Sequence, residues 1–173
     1  MSIRIRAVCT KSVLGVTAES LREGIAARLP TLATYYGESE PSKTIAGLSV
    51  SEGGGVRGES GWMRIQAGDA AGMALVVDWI GEGQALKDEI QALLAGLDDC
   101  EEEDAEEVRD CLSDAVGVAR VTLDVGAVEG IGWPLAIAIA ATLADEGEGL
   151  IQADGEGWMT VDGSGVEQLI DAD

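Results

Sequence analysis

The sequence predicts an α+β protein, with antiparallel sheet covered by helices on one face, and three observations carry that expectation. Segments alternating apolar and polar residues recur along the chain, beginning at 2–10, where Ile3, Ile5, Ala7 and Cys9 alternate with Arg4, Arg6 and Val8. Between them lie segments with helical periodicity. A strand, a helix and then further strands follow one another in 1–81 and again in 118–173, around a helical pair in 82–117. Each half therefore reads as a β-α-β-β unit, and the combined order is the one a ferredoxin-like split β-α-β requires. At 173 residues the chain is one domain that needs no disulfide or metal staple.

Strand 2–10 leads through a connection to a helix over 17–29. Ser20 and Glu23 have capping-box spacing, Leu21, Ile25, Leu29, Leu32 and Tyr36 recur at helical intervals, and Pro30 should end or kink the helix. A loop over 37–43 and a short strand over 44–50 follow. Segment 51–61, SEGGGVRGESG, lacks the GK[ST] ending of a phosphate cradle and reads as a hairpin loop. Segments 62–67 and 73–80 are then two strands of a hairpin.

Leu86, Ile90, Leu93, Leu94 and Leu97 give 82–97 an apolar stripe, hence an amphipathic helix. Asp98 or Asp99 can cap a second helix, with Val108, Leu112 and Ala115 on its buried side until Gly117. Strand 118–124 comes next, then a helix over 133–145 with Pro134 in its first turn and apolar residues on most sides. Strands 150–153 and 158–161 flank Asp154-Gly155-Glu156-Gly157, a hairpin signal, and a short tail helix is expected over 166–170. An edge strand at 2–10 or 158–161 would let two copies pair into a homodimer.

Phe is absent, so the core must be built from Ala, Val, Ile and Leu, with Trp62, Trp79, Trp133 and Trp158 as its large members. Cys9, Cys100 and Cys111 contain no CxxC. On one continuous helix Cys100 and Cys111 would share a face about 16 Å apart, so reduced, half-buried thiols are expected. The N-terminus lacks a signal-peptide core, and the apolar run 131–144 is too short to span a bilayer. A cytoplasmic protein is the expectation.

Charge is the most unusual property. The net charge is −21; residues 1–64 carry eight bases and six acids, whereas 65–173 carry three bases and twenty-six acids. Such a field disfavours nucleic acid and anionic membrane and steers cationic partners. Its focus is 98–110, where Asp98, Asp99, Glu101, Glu102, Glu103, Asp104, Glu106, Glu107 and Asp110 stand against one base, Arg109. A helix dipole favours the first few acids. It does not explain Glu102–Glu106, Glu103–Glu107 and Glu106–Asp110, like charges at i,i+4 that repel on a helix. A surface meant for a basic protein partner explains the excess, and these nine acids are its expected contacts. A host with an acidic proteome would give a similar excess.

The chain has no histidine, which removes Ser-His and Cys-His nucleophiles and the usual transition-metal ligand. The acid–glycine runs at 145–149, 154–157 and 162–165 do not match an EF-hand loop. No metal or cofactor is expected. A carboxylate-dependent hydrolase remains conceivable, with Asp78 beside Trp79 and Asp124 in an apolar strand as its candidate acids.

One stretch resembles a known group. In 118–161 a strand precedes an Ala-rich helix entered through Gly132-Trp133-Pro134 and ending LADEGEG; GLIQADGEGW and a further Asp-Gly follow. This quarter of the chain resembles the closing unit of small bacterial immunity proteins that accompany polymorphic or contact-delivered toxins. The resemblance implies a cytosolic α+β inhibitor that blocks a toxin domain, and it carries over no individual functional residue. Three classes thus stand: a non-enzymatic immunity protein engaging a basic effector, an acidic structural or housekeeping module, and a small carboxylate enzyme.

Overall fold

A computed structural model describes residues 2–53, 62–67 and 74–172. In chain order the elements are β1 (Ser2–Cys9), α1 (Ala18–Tyr35), α2 (Pro41–Ala46), β2 (Leu48–Glu52), β3 (Met63–Ala67), β4 (Ala74–Ile80), α3 (Gln84–Ala95) and α4 (Ala105–Asp114). They continue with β5 (Gly117–Asp124), a 3-10 turn (Val125–Ala127), α5 (Gly132–Glu146), β6 (Leu150–Ala153), β7 (Gly157–Asp162) and β8 (Gly165–Asp171). The protein is α+β, and its strands form one antiparallel sheet in the order β2-β3-β4-β5-β1-β6-β7-β8.

The two halves share an element order but not a layout. Strands β5 and β6 both run antiparallel to β1 and flank it, so β5-α5-β6 is a split β-α-β crossing one strand. The matching crossover β1-α1-α2-β2 passes over three strands and lands at the far edge. The first half then fills inward toward β5, while the second fills outward from β1. No half closes a sheet of its own, so two separate ferredoxin-like units do not form.

Helices occupy both faces of the sheet, not the single face expected. On one side α1 and α5 pack over Ile5, Ala7 and Cys9 of β1 and Ala119, Val121 and Leu123 of β5. Helix α5 is enclosed between α1 and the sheet, with every residue from Gly132 to Ala144 buried. Its many alanines permit that enclosure, and Gly24 of α1 gives room for Thr142 where the two helices meet. On the other side Leu97, Ala105, Val108, Cys111 and Leu112 cover Val8, Val118, Leu150, Trp158 and Ile170. The β1 face of Arg4, Arg6 and Val8, which its polarity marks as solvent-facing, is partly covered: Val8 is buried, Arg6 is largely buried and pairs with Glu89 of α3 at 2.6 Å, and Arg4 stays exposed. Strand alternation says that a second face exists, and the polarity of Arg4 and Arg6 hides that α3 meets it through an ion pair.

Several local expectations are corrected. Helix α1 runs on through Pro30 to Tyr35, because Leu32 and Ala33 continue its buried stripe and offset the lost backbone bond. Its cap is the reciprocal pair Thr17 and Ser20, three residues earlier than the Ser20–Glu23 spacing implied. Part of the expected loop and strand over 37–50 is α2, opened by Pro41 at a first helical position. The expected tail helix is β8, since Asp162 to Gly165 turn the chain back onto β7. Strand β1 is central and β7 internal, so neither offers an edge; the edges are β2 and β8. Most of the glycine-rich segment 51–61 and the connection 68–72 lie outside the described residues.

All three cysteines are free: Cys9 and Cys111 are buried on opposite faces of the sheet, and Cys100 is half-buried. Burial is the main cause that pushes the Cys9 thiol up to about 12, and it raises Cys111 as well. A thiol raised by folding stabilises the protein below the unfolded value and loses that contribution as pH climbs through the folded one. Stability to urea should therefore fall between pH 9 and 12, by up to about 1.4 kcal/mol per pH unit for one such thiol. A Cys9→Ala variant should show a shallower alkaline decline, whatever its stability at neutral pH; an unchanged slope would exclude Cys9 as a contributor. A second expectation concerns Gly157, which has φ +97° and where a Cβ would collide with the carbonyl oxygen of Ile170. Gly157→Ala should lower unfolding free energy by about 2–4 kcal/mol, combining left-handed strain with overpacking, as read from denaturant midpoints.

Candidate functional site

The acidic segment does not form one helix with its neighbours. Helix α3 stops at Ala95, and the next seven acid-rich positions run through turns before α4 starts at Ala105. Leu97 and Ala105, on either side of the break, are both buried in the core that includes Val8 and Val118. The turns are held by backbone bonds, Asp98 N–H to the Ala95 carbonyl at 3.3 Å, Cys100 N–H to Leu97 at 3.0 Å, and Ala105 N–H to Glu102 at 3.1 Å.

Of the nine expected contact residues, eight are exposed: Asp98, Asp99, Glu101, Glu102, Glu103, Glu106, Glu107 and Asp110. Asp104 is half-buried at the start of α4 and makes no side-chain cap. The break also changes the repulsion argument. Glu102 and Glu103 precede α4, so of those three pairs only Glu106 and Asp110 lie within it. Glu106 and Glu107 fall in its first turn, where the dipole favours them.

Arg109 supplies the organising contact that charge counting alone overlooks. Its Nη2 donates to the carbonyl of Leu97 at 2.9 Å and to that of Cys100 at 3.3 Å. The only base of the segment is thus engaged by the backbone of the acidic turn. Among the described residues none of the nine carboxylates takes part in an ion pair. The result is a turn–helix platform, anchored by Leu97, Val108 and Leu112, in which nine acids stand against the one charge of Arg109. A lone arginine among nine acids is the sequence signal for this, because one base leaves most of the segment's charge unbalanced.

Other candidates fare differently. No tryptophan is exposed: Trp133 and Trp158 are buried and Trp62 and Trp79 half-buried, in keeping with their expected place in the core. Asp78 lies 3.6 Å from Arg120 on the neighbouring strand, and Asp124 is exposed at the end of β5. Among the described residues no three Cys, Asp or Glu side chains come together as a metal site would need, and no helix is long and apolar enough to cross a membrane. A separate trio brings Glu156 to Tyr36 and Trp133; these residues come from three distant segments and share no motif. No protein-family model, curated protein or solved structure matches this chain.

Removing the Arg109 contact should loosen the platform without unfolding the sheet. In Arg109→Ala the backbone amides of 98–104 should exchange with solvent about tenfold faster, equivalent to roughly 1.4 kcal/mol of local protection. Amides of β1 and β5 should be unaffected. Uniform acceleration across the chain would show that Arg109 supports global rather than local structure.

Proposed function

We propose that this protein is a non-enzymatic inhibitor, an immunity protein that resides in the cytoplasm and neutralises a basic toxin or effector through its acidic platform. One observation carries the reading: eight exposed carboxylates sit on a structurally anchored turn and helix whose single base, Arg109, is hydrogen-bonded to the turn's own backbone. Fixed like charges raise the electrostatic free energy of the isolated protein, and a cationic partner relieves it. The same field accelerates encounter with such a partner, an advantage for a protein that must intercept a toxin early. The resemblance of 118–161 to immunity proteins points the same way. With no exposed indole to anchor the contact, recognition through this surface rests on charge and should be strongly salt-dependent.

The test changes Glu101, Glu102, Glu103, Glu106 and Glu107 to Gln together. Wild type should retain a basic protein from source-cell lysate at low salt and release it at high salt, whereas the variant should retain little. Cells expressing the retained protein should survive with wild-type inhibitor and lose viability with the variant. Equal protection by both forms would show the acids to be a solvated face and would sink the proposal.

A further inference from the structure

At the Ile3 end of β1, away from the acidic platform that packs near Val8, a cavity of about 350 Å³ opens between α1, α5 and the β6–β7 turn. Five residues of strand separate the two ends, roughly 17 Å. Tyr36, Trp133 and Pro134 form much of the wall, and Glu38, Asp154 and Glu156 bring three carboxylates to it. The volume is at the small end of ligand sites, which begin at about 300 Å³.

The three acids are not equivalent. Asp154 is paired: its Oδ1 accepts from Nη1 of Arg6, whose guanidinium Glu89 shares, at 2.8 Å, and its Oδ2 from the backbone N–H of Arg4 at 3.1 Å. Glu156 has only uncharged donors. The Tyr36 hydroxyl donates to its Oε2 at 2.7 Å, and the Trp133 indole N–H donates to its Oε1 at 2.6 Å. Burial first, and then Glu156 itself, push the Tyr36 phenol upward, so it stays a donor at ordinary pH. Among the described residues Glu156 and Glu38 have no ion-pair partner, and Glu38 makes no side-chain hydrogen bond. Glu156 is therefore oriented but not neutralised, and each of its oxygens retains accepting capacity.

That pattern selects a ligand class. Anions are repelled by the uncompensated acids. A sugar or other polyol offers both donors and acceptors, but the two side-chain donors of the wall are already engaged by Glu156. What remains on the side chains is acceptors and aromatic surface, which suits a group that only donates and carries positive charge. We propose that this cleft binds a compact organic cation, a primary ammonium or guanidinium group, with Glu156 as its direct partner, Glu38 as the second charge, and Tyr36 and Trp133 beside it. The cation is either a small free amine or the side chain of a lysine or arginine in a peptide. The site is independent of the acidic platform and of the inhibitor function.

The test follows the four indole N–H resonances of ¹⁵N-labelled protein during titration with n-butylammonium, n-butylguanidinium, blocked lysine and arginine dipeptides, and n-butanol. The Trp133 signal should move with a cation and not with the alcohol. Response to the free amines assigns a small-molecule ligand, and response to the blocked dipeptides alone assigns a peptide side chain; both support the site. Glu156→Gln should weaken binding about tenfold or more. Glu38→Gln, which removes no internal hydrogen bond, should weaken it by a smaller factor while the fold stays intact. Absence of any Trp133 shift, an equal shift with n-butanol, or unchanged affinity in both variants would overturn the proposal.

Discussion

Eight consecutive residues of β1 pair with eight of β5 across more than a hundred residues of intervening chain, and the other strands extend the sheet outward from that pair. Each alternate position on the two strands serves a different layer. Ile5, Ala7, Ala119 and Val121 face α1 and α5, while Val8 and Val118 face the segment containing α4. A one-residue slip would exchange the two sets and expose both cores at once. Register is therefore held from both sides, and closing so long a loop before its contacts form makes slow folding the expected regime for this topology.

The elements legible from sequence are those whose pattern and burial agree. Strand β5 alternates and is paired on both sides; α3 carries a leucine stripe; the Asp154–Gly157 turn joins β6 to β7 as its composition indicates. Misreadings arise where tertiary burial overrides a local signal. Pro30 is a helix breaker, yet the buried Leu32 and Ala33 hold α1 together beyond it. Val166, Leu169 and Ile170 have helical spacing, but β7 offers an open ladder and the chain takes it as β8. Helix coverage of the second face was hidden because its contact with β1 is partly an Arg6–Glu89 ion pair, which looks from sequence like solvent-facing charge.

The acidic segment shows the same division. Its composition identifies an unusual surface, and the structure places those acids outside the protein's ion pairs among the described residues. Its shape was not legible, because a run of acids after a helix reads as another helical turn. The structure instead has a turn held by its own backbone bonds and by Arg109, which binds the Leu97 and Cys100 carbonyls. The Glu156 trio had no local signal, since Tyr36 and Trp133 reach it from the end of one helix and the start of another.

The opposed filling of the sheet, inward in the first half and outward in the second, has a consequence for how the chain can be divided. Strand β1 lies between β5 and β6, and β5 lies between β4 and β1, so each half supplies the neighbour that the other half's leading strand requires. Neither half is a transplantable module. Two polypeptides separated within the exposed turn between α3 and α4 would each lack the partner strand at its own centre, yet together they would hold every strand pairing. The architecture is suited to obligate fragment complementation, in which reassembly of the two pieces reports their encounter.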